Sequence, residues 1–274
     1  MTRLDAELVN RRLARSRTLA ATLIKAKRVL VGGSVAPKAS LQVDSSTVLE
    51  VLPGHEEDYV SRAGHKLAGA LEHFPQVDPR GLRCLDAGAS TGGFTDVLLR
   101  RGASKVAAVD VGHGQLVESL RHDARVDVYE GLNIRYMGAA DIGGVVDLTV
   151  CDLSFISLTM VMEPLARATR EGGRLLLMVK PQFEVGRERL ARTGVVASEN
   201  ERRRAVAQVA MAAVENGLRL RGIGTSALPG QDGNVEYFLL TERAVSGPAH
   251  KIEAEGAMKD WNGEVEELLT QLWP

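Results

Sequence analysis

Four ionisable residues occupy positions from which a chain can build an acid–base site: Lys66 in a helical pattern, and Asp152, Lys180 and Glu236 in or just past apolar runs. In Leu175-Leu176-Leu177-Met178-Val179-Lys180-Pro181 a lysine follows an almost wholly apolar strand, and the proline after it cannot donate to a further ladder. Val150-Cys151-Asp152-Leu153 repeats the arrangement with an acid. Side chains that leave parallel strands at their carboxyl ends converge on the ligand crevice of an open α/β sheet, so the four are candidate catalytic residues. A lysine there can take a proton from a weakly acidic hydroxyl if neutral, or stabilise negative charge growing on the attacking oxygen if charged. Both roles stand. The plainer alternatives are a solvated helix lysine for Lys66, a cap for Asp152, a surface or packing lysine for Lys180 and a solvent-facing strand acid for Glu236.

A second string, Leu82-Arg83-Cys84-Leu85-Asp86-Ala87-Gly88-Ala89-Ser90-Thr91-Gly92-Gly93-Phe94, reads as a strand opening into a glycine-rich turn and a helix. Asp86 at the strand end can accept hydrogen bonds from a ligand amine. Asp110 ends the next strand, 22 residues beyond Gly88, where a carboxylate can bind both hydroxyls of a ribose. The turn lacks the G-x-G-x-x-G order of dinucleotide sites and the G-K-S or G-K-T of P-loops. S-adenosylmethionine fits better: its methyl group sits on an electron-poor sulfonium, so the protein need only align a nucleophile, and no metal is required. A structural glycine turn and a nicotinamide dinucleotide pocket are the alternatives. The candidate cofactor contacts are Asp86, Gly88, Ser90, Gly92, Gly93, Phe94, Asp110, Val111 and Asp152.

Positioning these groups takes a sheet. Strand candidates at 82–86, 105–110, 125–129, 145–151 and 173–180 alternate with helical patterns, the arrangement of an α/β fold. A helix over Glu199–Asn216, closed by Gly217, precedes strands near 218–226 and 235–241 that predict a late antiparallel hairpin. Ahead of the sheet lies a small αα-then-β module. Leu4, Leu8 and Leu13 fit one helical stripe, and Ser16 can cap a second helix carrying Leu19, Leu23 and Ile24. Val29-Leu30-Val31, the Gly32-Gly33 turn and Val35 follow, with a further strand near Val48–Leu52. The polar stretch Pro53–Asp58 sets the boundary. The expected organisation is therefore 1–58 as the small module, 59–63 as a linker, 64–245 as the sheet domain and 246–274 as an acidic tail with a short helix around Glu264–Leu272.

Over 274 residues, 34 Lys plus Arg against 35 Asp plus Glu give a formal charge of -1, which argues against a uniformly basic nucleic-acid coat. The distribution is uneven. Residues 1–43 carry nine basic side chains against Asp5 and Glu7. Arg3, Arg11, Arg12, Arg15, Arg17, Lys25, Lys27 and Lys38 are the candidate RNA-binding residues, with solvation of a small domain as the alternative. No aromatic stacking platform accompanies them, so phosphate contacts and the shape of a structured RNA would carry recognition. Cys84 and Cys151 lie in apolar stretches, as reduced core thiols do, which points to a cytoplasmic setting. No apolar run reaches the roughly 18 residues of a membrane helix. No membrane partner is expected, and the oligomeric state is left open, a monomer being compatible with the sequence.

Together these strings resemble the TlyA-type hemolysin family, ribosomal RNA cytidine 2'-O-methyltransferases that join an S4-like RNA-binding domain to an FtsJ-like catalytic domain. The likeness covers roughly residues 3–241, through Arg3-Leu4-Asp5, Ser16-Arg17, Ser61-Arg62-Ala63-Gly64-His65-Lys66-Leu67, Leu85 to Phe94, Asp152-Leu153-Ser154-Phe155-Ile156-Ser157, Val179-Lys180-Pro181-Gln182-Phe183-Glu184-Val185-Gly186 and Gly233-Asn234-Val235-Glu236-Tyr237-Phe238. The resemblance implies a Rossmann-like class I methyltransferase sheet behind a small α+β domain. It implies Lys66, Asp152, Lys180 and Glu236 as a catalytic tetrad, and Asp86, Gly88 and Asp110 as cofactor contacts. Its implied substrates are cytidines of small- and large-subunit ribosomal RNA. An Arg-Ala-Trp-Val-like interdomain switch of some relatives reads Glu57-Asp58-Tyr59-Val60 here, with Tyr59 at the place of the aromatic and two acids at the places of Arg and Ala. A non-catalytic RNA-binding factor, or a methyltransferase for another RNA or a small molecule, are the competing classes.

Overall fold

The computed structural model describes residues 1–14, 17–52, 59–186, 188, 190–245 and 261–273. Arg15, the Ser16 cap, the 53–58 junction and tail residues 246–260 and 274 lie outside the described residues. By its contacts the chain divides into two units, Met1–Asp58 and Tyr59–Pro274.

In the first unit β1 (Thr2–Arg3) leads into α1 (Leu4–Asn10), and α2 (Arg17–Lys25) precedes β2 (Val29–Val31), β3 (Ser34–Val35), β4 (Gln42–Val43) and β5 (Leu49–Val51). β1 pairs with β4, and β3-β2-β5 form a second antiparallel sheet. Gly32 and Gly33 make the two-residue β2–β3 turn with φ of 57° and 82°, the positive values that a hairpin turn matched to strand twist demands. Leu4, Leu8, Ala20, Leu23, Ile24, Val29 and Val43 form the core. Leu13 departs from the predicted stripe. α1 stops at Asn10 because Arg12 turns left-handed at φ 58°, and Ala14 takes the buried place while Leu13 is 36% exposed.

The second unit is a three-layer sandwich around a 7-stranded sheet of order β11-β12-β10-β9-β6-β7-β8. Its strands are β6 (Arg83–Ala87), β7 (Lys105–Asp110), β8 (Val126–Glu130), β9 (Val146–Cys151), β10 (Thr169–Val179), β11 (Leu218–Thr225) and β12 (Tyr237–Arg243). β6 to β10 are parallel, and β12 runs antiparallel between β10 and β11, forming the expected hairpin. Alternation along each strand feeds two cores. Cys84, Val106, Leu148, Leu176 and Met178 face α3 (Arg62–His73) and α4 (Gly93–Arg100). Leu85, Ala107, Val109, Leu175, Leu177 and Val179 face α6 (Met162–Ala168), α8 (Glu199–Glu215) and α9 (Trp261–Thr270), where α5 denotes Glu118–Arg121 and α7 denotes Pro181–Glu184. This is a Rossmann-like α/β fold that follows the small α+β unit in the chain, and the order of its strands reverses between β6 and β9.

Residues 59–63 are not a free connection. Arg62 and Ala63 already belong to α3, the Val60 amide donates to Asp96 Oδ2 at 2.9 Å, and the Tyr59 ring lies edge-on to His65 at 5.1 Å with the Arg100 guanidinium 5.1 Å from its centroid. The last helix is structural too: Val265, Leu268 and Leu269 seal the second core.

Candidate functional site

The switch point between β6 and β9 collects carboxylates. Asp86, wholly buried near the end of β6, accepts from Thr95 Oγ1 at 2.6 Å through Oδ2, while its Oδ1 is buried without a partner. Burial, reinforced by the charges of Asp152 and Asp110, pushes its carboxyl up to about 7. Gly88 has φ 89°, and a Cβ there would stand 2.7 Å from the Asp152 carbonyl oxygen, so only glycine lets the β6 and β9 loops touch. Asp110, at the end of β7, is oriented by backbone donors: Oδ2 accepts from Ser90 N at 2.8 Å and Oδ1 from Gly112 N at 2.7 Å, leaving further lone pairs for hydroxyls. Val111 beside it is 66% exposed, an apolar face at the rim.

The donor set fits the expected cofactor. A buried acceptor without a donor suits an ammonium, a carboxylate at the next strand end suits a ribose, and clustered acids suit a ligand carrying positive charge. Three of the expected contacts sit differently. A Cβ on Gly92 would meet Leu120 Cδ1 at 2.3 Å, and one on Gly93 would meet Ser61 Oγ at 2.2 Å, so both glycines make room for the protein's own side chains. Phe94 is 2% exposed and stacks on Phe238 in the core.

The four candidate catalytic residues form two ion pairs. Lys180 caps the short helix α7 just beyond β10, and its Nζ lies 2.5 Å from Asp152 Oδ1 and donates to Ser154 Oγ at 3.0 Å. Lys66, on α3, donates from Nζ to Glu236 Oε2 at 2.5 Å, both side chains being buried. Gln182 Nε2 donates to Glu236 Oε1 at 3.3 Å, which ties the second pair to the segment carrying the first. Gly230 packs so close that a Cβ would lie 2.7 Å from that same Oε1.

Sequence reasoning passes over two neighbours. Phe155 is 91% exposed at φ 65°, with its ring 5.2 Å from that of Phe183. A large apolar ring in solvent on left-handed backbone, three residues from Asp152, is costly for folding alone, but nothing in a Phe-Ile pair signals the conformation. Gln182 follows Lys180-Pro181, and its residue type alone assigns it no role there.

In the first unit the basic residues differ in their commitments. Arg11 is spent internally, donating to Glu7 Oε1 at 2.8 Å and to the carbonyls of Thr47 at 2.7 Å and Asp44 at 2.9 Å. It holds the loop before β5 rather than presenting a free guanidinium. Asp5, itself buried, gathers Arg3 at 3.0 Å and Arg17 at 2.9 Å, and these guanidiniums hold its carboxyl well below the usual range. Arg12, Lys25, Lys27 and Lys38 are exposed. Arg12 and Lys27 sit left-handed at φ 58° and 59° past the ends of α1 and α2, where glycine is the default.

The S4 domain profile matches residues 2–49 and the FtsJ-like methyltransferase profile residues 59–243. The 16S/23S rRNA (cytidine-2'-O)-methyltransferase TlyA of Mycobacterium tuberculosis is 49% identical over 263 residues, covering 93% of this chain and 98% of that protein. The 23S rRNA (cytidine-2'-O)-methyltransferase TlyA of Campylobacter jejuni is 32% identical, covering 84% and 95%. A solved structure described as a hemolysin from Streptococcus thermophilus superposes with TM-score 0.71 at 33% identity, covering 98% of this chain and 94% of that one. Among the described residues no helix is long and apolar enough to cross a membrane.

Proposed function

Since the chain belongs to the TlyA family of rRNA methyltransferases, with an S4 domain and an FtsJ-like domain, we propose that it methylates the ribose 2'-hydroxyl of cytidines in 16S and/or 23S ribosomal RNA. The observation that carries this reading is the Lys180–Asp152 ion pair at the carboxyl edge of the sheet, joined through the Gly88 contact to the buried, half-satisfied Asp86. S-adenosylmethionine supplies the electrophilic methyl group on its sulfonium.

Asp86, through its unpartnered Oδ1, would hold the cofactor's ammonium, and Asp110 would hold its ribose hydroxyls. Lys180, paired with Asp152 and hydrogen-bonded to Ser154, donates to the 2'-oxygen as negative charge grows on it, and the hydroxyl proton leaves to a carboxylate or water. Of the two roles open on sequence, the ion pair supports the charged one. Lys66 and Glu236 neutralise each other in the wall, and Gln182 keeps that pair in register with Lys180. Phe155 offers an aromatic face on which an unstacked base rests while its sugar reaches the pocket. Arg3, Arg12, Arg17, Lys25, Lys27 and Lys38 contact phosphates, positioning the RNA without reading its sequence.

Purified protein incubated with methyl-labelled cofactor and ribosomal subunits, followed by digestion to nucleosides, tests the reading. Label in 2'-O-methylcytidine is the expected product. Label only on bases, or none in ribosomal RNA, overturns it.

A further inference from the structure

The Glu184 carboxylate is buried at the end of α7 and touches none of the reacting groups. It accepts from Ser157 Oγ at 2.5 Å through Oε2 and from the Leu158 amide at 2.9 Å through Oε1. Ser157 Oγ has one proton, which goes to Glu184; its lone pairs accept from Thr159 N at 3.2 Å and face Thr159 Oγ1 at 2.7 Å. Every polar group at this junction is thereby used. Burial pushes the Glu184 carboxyl up, against the pull of its two donors, so placing an acid here carries a desolvation cost.

The position of this junction suggests why. Segment 152–158 is fastened to segment 180–184 at both ends: Asp152 to Lys180 at one, Ser157 and Leu158 to Glu184 at the other. Between the two fastenings the chain turns through Phe155 at φ 65°, with the ring lying against Phe183. A loop secured only at Asp152 could relax that strained turn, and with it the positions of Ser154 and Asp152 around Lys180. We propose that Glu184 is a positioning residue, a brace that holds the 152–158 loop in the geometry needed to receive the RNA nucleoside. This deepens the proposed function and rests on it for its consequence, but not for the brace itself.

Two measurements on the full-length protein separate these. In hydrogen exchange read by mass spectrometry, Glu184→Ala should speed exchange in peptides spanning 153–160 by about tenfold or more, leaving those of β6 and β7 unchanged, whereas Glu184→Gln, which keeps an acceptor for Leu158 and a partner for Ser157, should stay near wild type. In methyl transfer to ribosomal subunits, Glu184→Ala should lose about tenfold or more in kcat/KM for RNA with cofactor Kd within about twofold, and Glu184→Gln should recover most of that loss. If Glu184→Ala does not fold, Ser157→Ala removes one of the two bonds of that fastening, leaving the Leu158 amide on Oε1, and should show both effects at a smaller size. Unchanged exchange and activity in the alanine variants overturn the brace, as does a parallel loss of cofactor affinity or a glutamine variant as impaired as alanine. A wild-type protein that transfers no methyl group to ribosomal RNA refutes the proposed function instead, and the exchange comparison still decides the brace.

Discussion

Two buried aspartates, one in each unit, receive opposite treatment. Asp5 in the small unit is saturated by Arg3 and Arg17, which hold its carboxyl well below the usual range. Asp86 in the sheet domain has one threonine hydroxyl, an unpartnered Oδ1 and two neighbouring acids, and is pushed up to about 7. The first carboxylate gathers cations that stay 47% and 59% exposed; the second keeps a buried oxygen unpartnered, the place the proposed function gives to the cofactor. The contrast teaches that a carboxyl buried with an unpartnered oxygen in a crevice is a candidate ligand contact, whereas Asp5 has its partners within its own unit.

The sharpest way to break this contrast is Asp86→Asn. It should weaken S-adenosylmethionine binding by about ten- to hundredfold in calorimetric titration while raising the melting temperature of the ligand-free protein, because the unpaired buried carboxyl is gone. Asp5→Asn should do neither. A cofactor affinity equal to wild type would remove Asp86 from the site.

Next in size is pH. Below about 7 the Asp86 proton must leave before the carboxylate can accept the cofactor's ammonium, so affinity should tighten by up to about tenfold per unit as pH rises toward 7, then level off. Stability moves the other way. Between its ordinary range and about 7 the folded Asp86 binds a proton that the unfolded chain has released, so its contribution falls as pH rises. Asp5, with its folded value depressed, contributes stability at neutral pH that is lost as pH falls through the acid range. Melting curves from about pH 4 to 7 on wild type and Asp86→Asn check the first sign: the variant should lack the decline.

A smaller effect sharpens the other side. Arg17→Ala with Lys25→Ala should lower the slope of log affinity against log salt for ribosomal RNA by about 0.7 for each phosphate no longer neutralised, whereas Arg11→Ala should chiefly destabilise the small unit and leave the slope near wild type. The same slope in both variants would erase the distinction between inward and outward guanidiniums. Smallest of all, Arg12→Gly should stabilise that unit by up to about 1 kcal/mol through relief of left-handed backbone while weakening RNA binding, both read in one titration series.

The fold is largely legible in the sequence because parallel strands buried on both faces leave continuous apolar runs, and the residues at their ends, Asp86, Asp110, Asp152 and Lys180, stand out as departures from those runs. What stays hidden depends on which neighbour arrives. Gly92 and Gly93 read equally well as a ligand cradle or as room for Leu120 and Ser61, since both need only a missing Cβ. Arg11 and Arg17 are alike in a charge count, yet one is bound to carbonyls of a distant loop and the other reaches solvent. Phe155 and Arg12 adopt conformations that local propensity assigns to glycine, so tertiary contacts decide them. The roles of Gln182 and Glu184 arise from partners 54 and 26 residues away, beyond the reach of any local pattern.

The central claim is that the Lys180 ammonium, set by Asp152, acts on the hydroxyl that receives the methyl group. Single-turnover transfer from saturating cofactor to ribosomal subunits, wild type against Lys180→Ala, tests it most directly. The variant's rate should fall by about a hundredfold or more with cofactor affinity nearly unchanged. A variant that transfers the methyl group at the wild-type rate would contradict it.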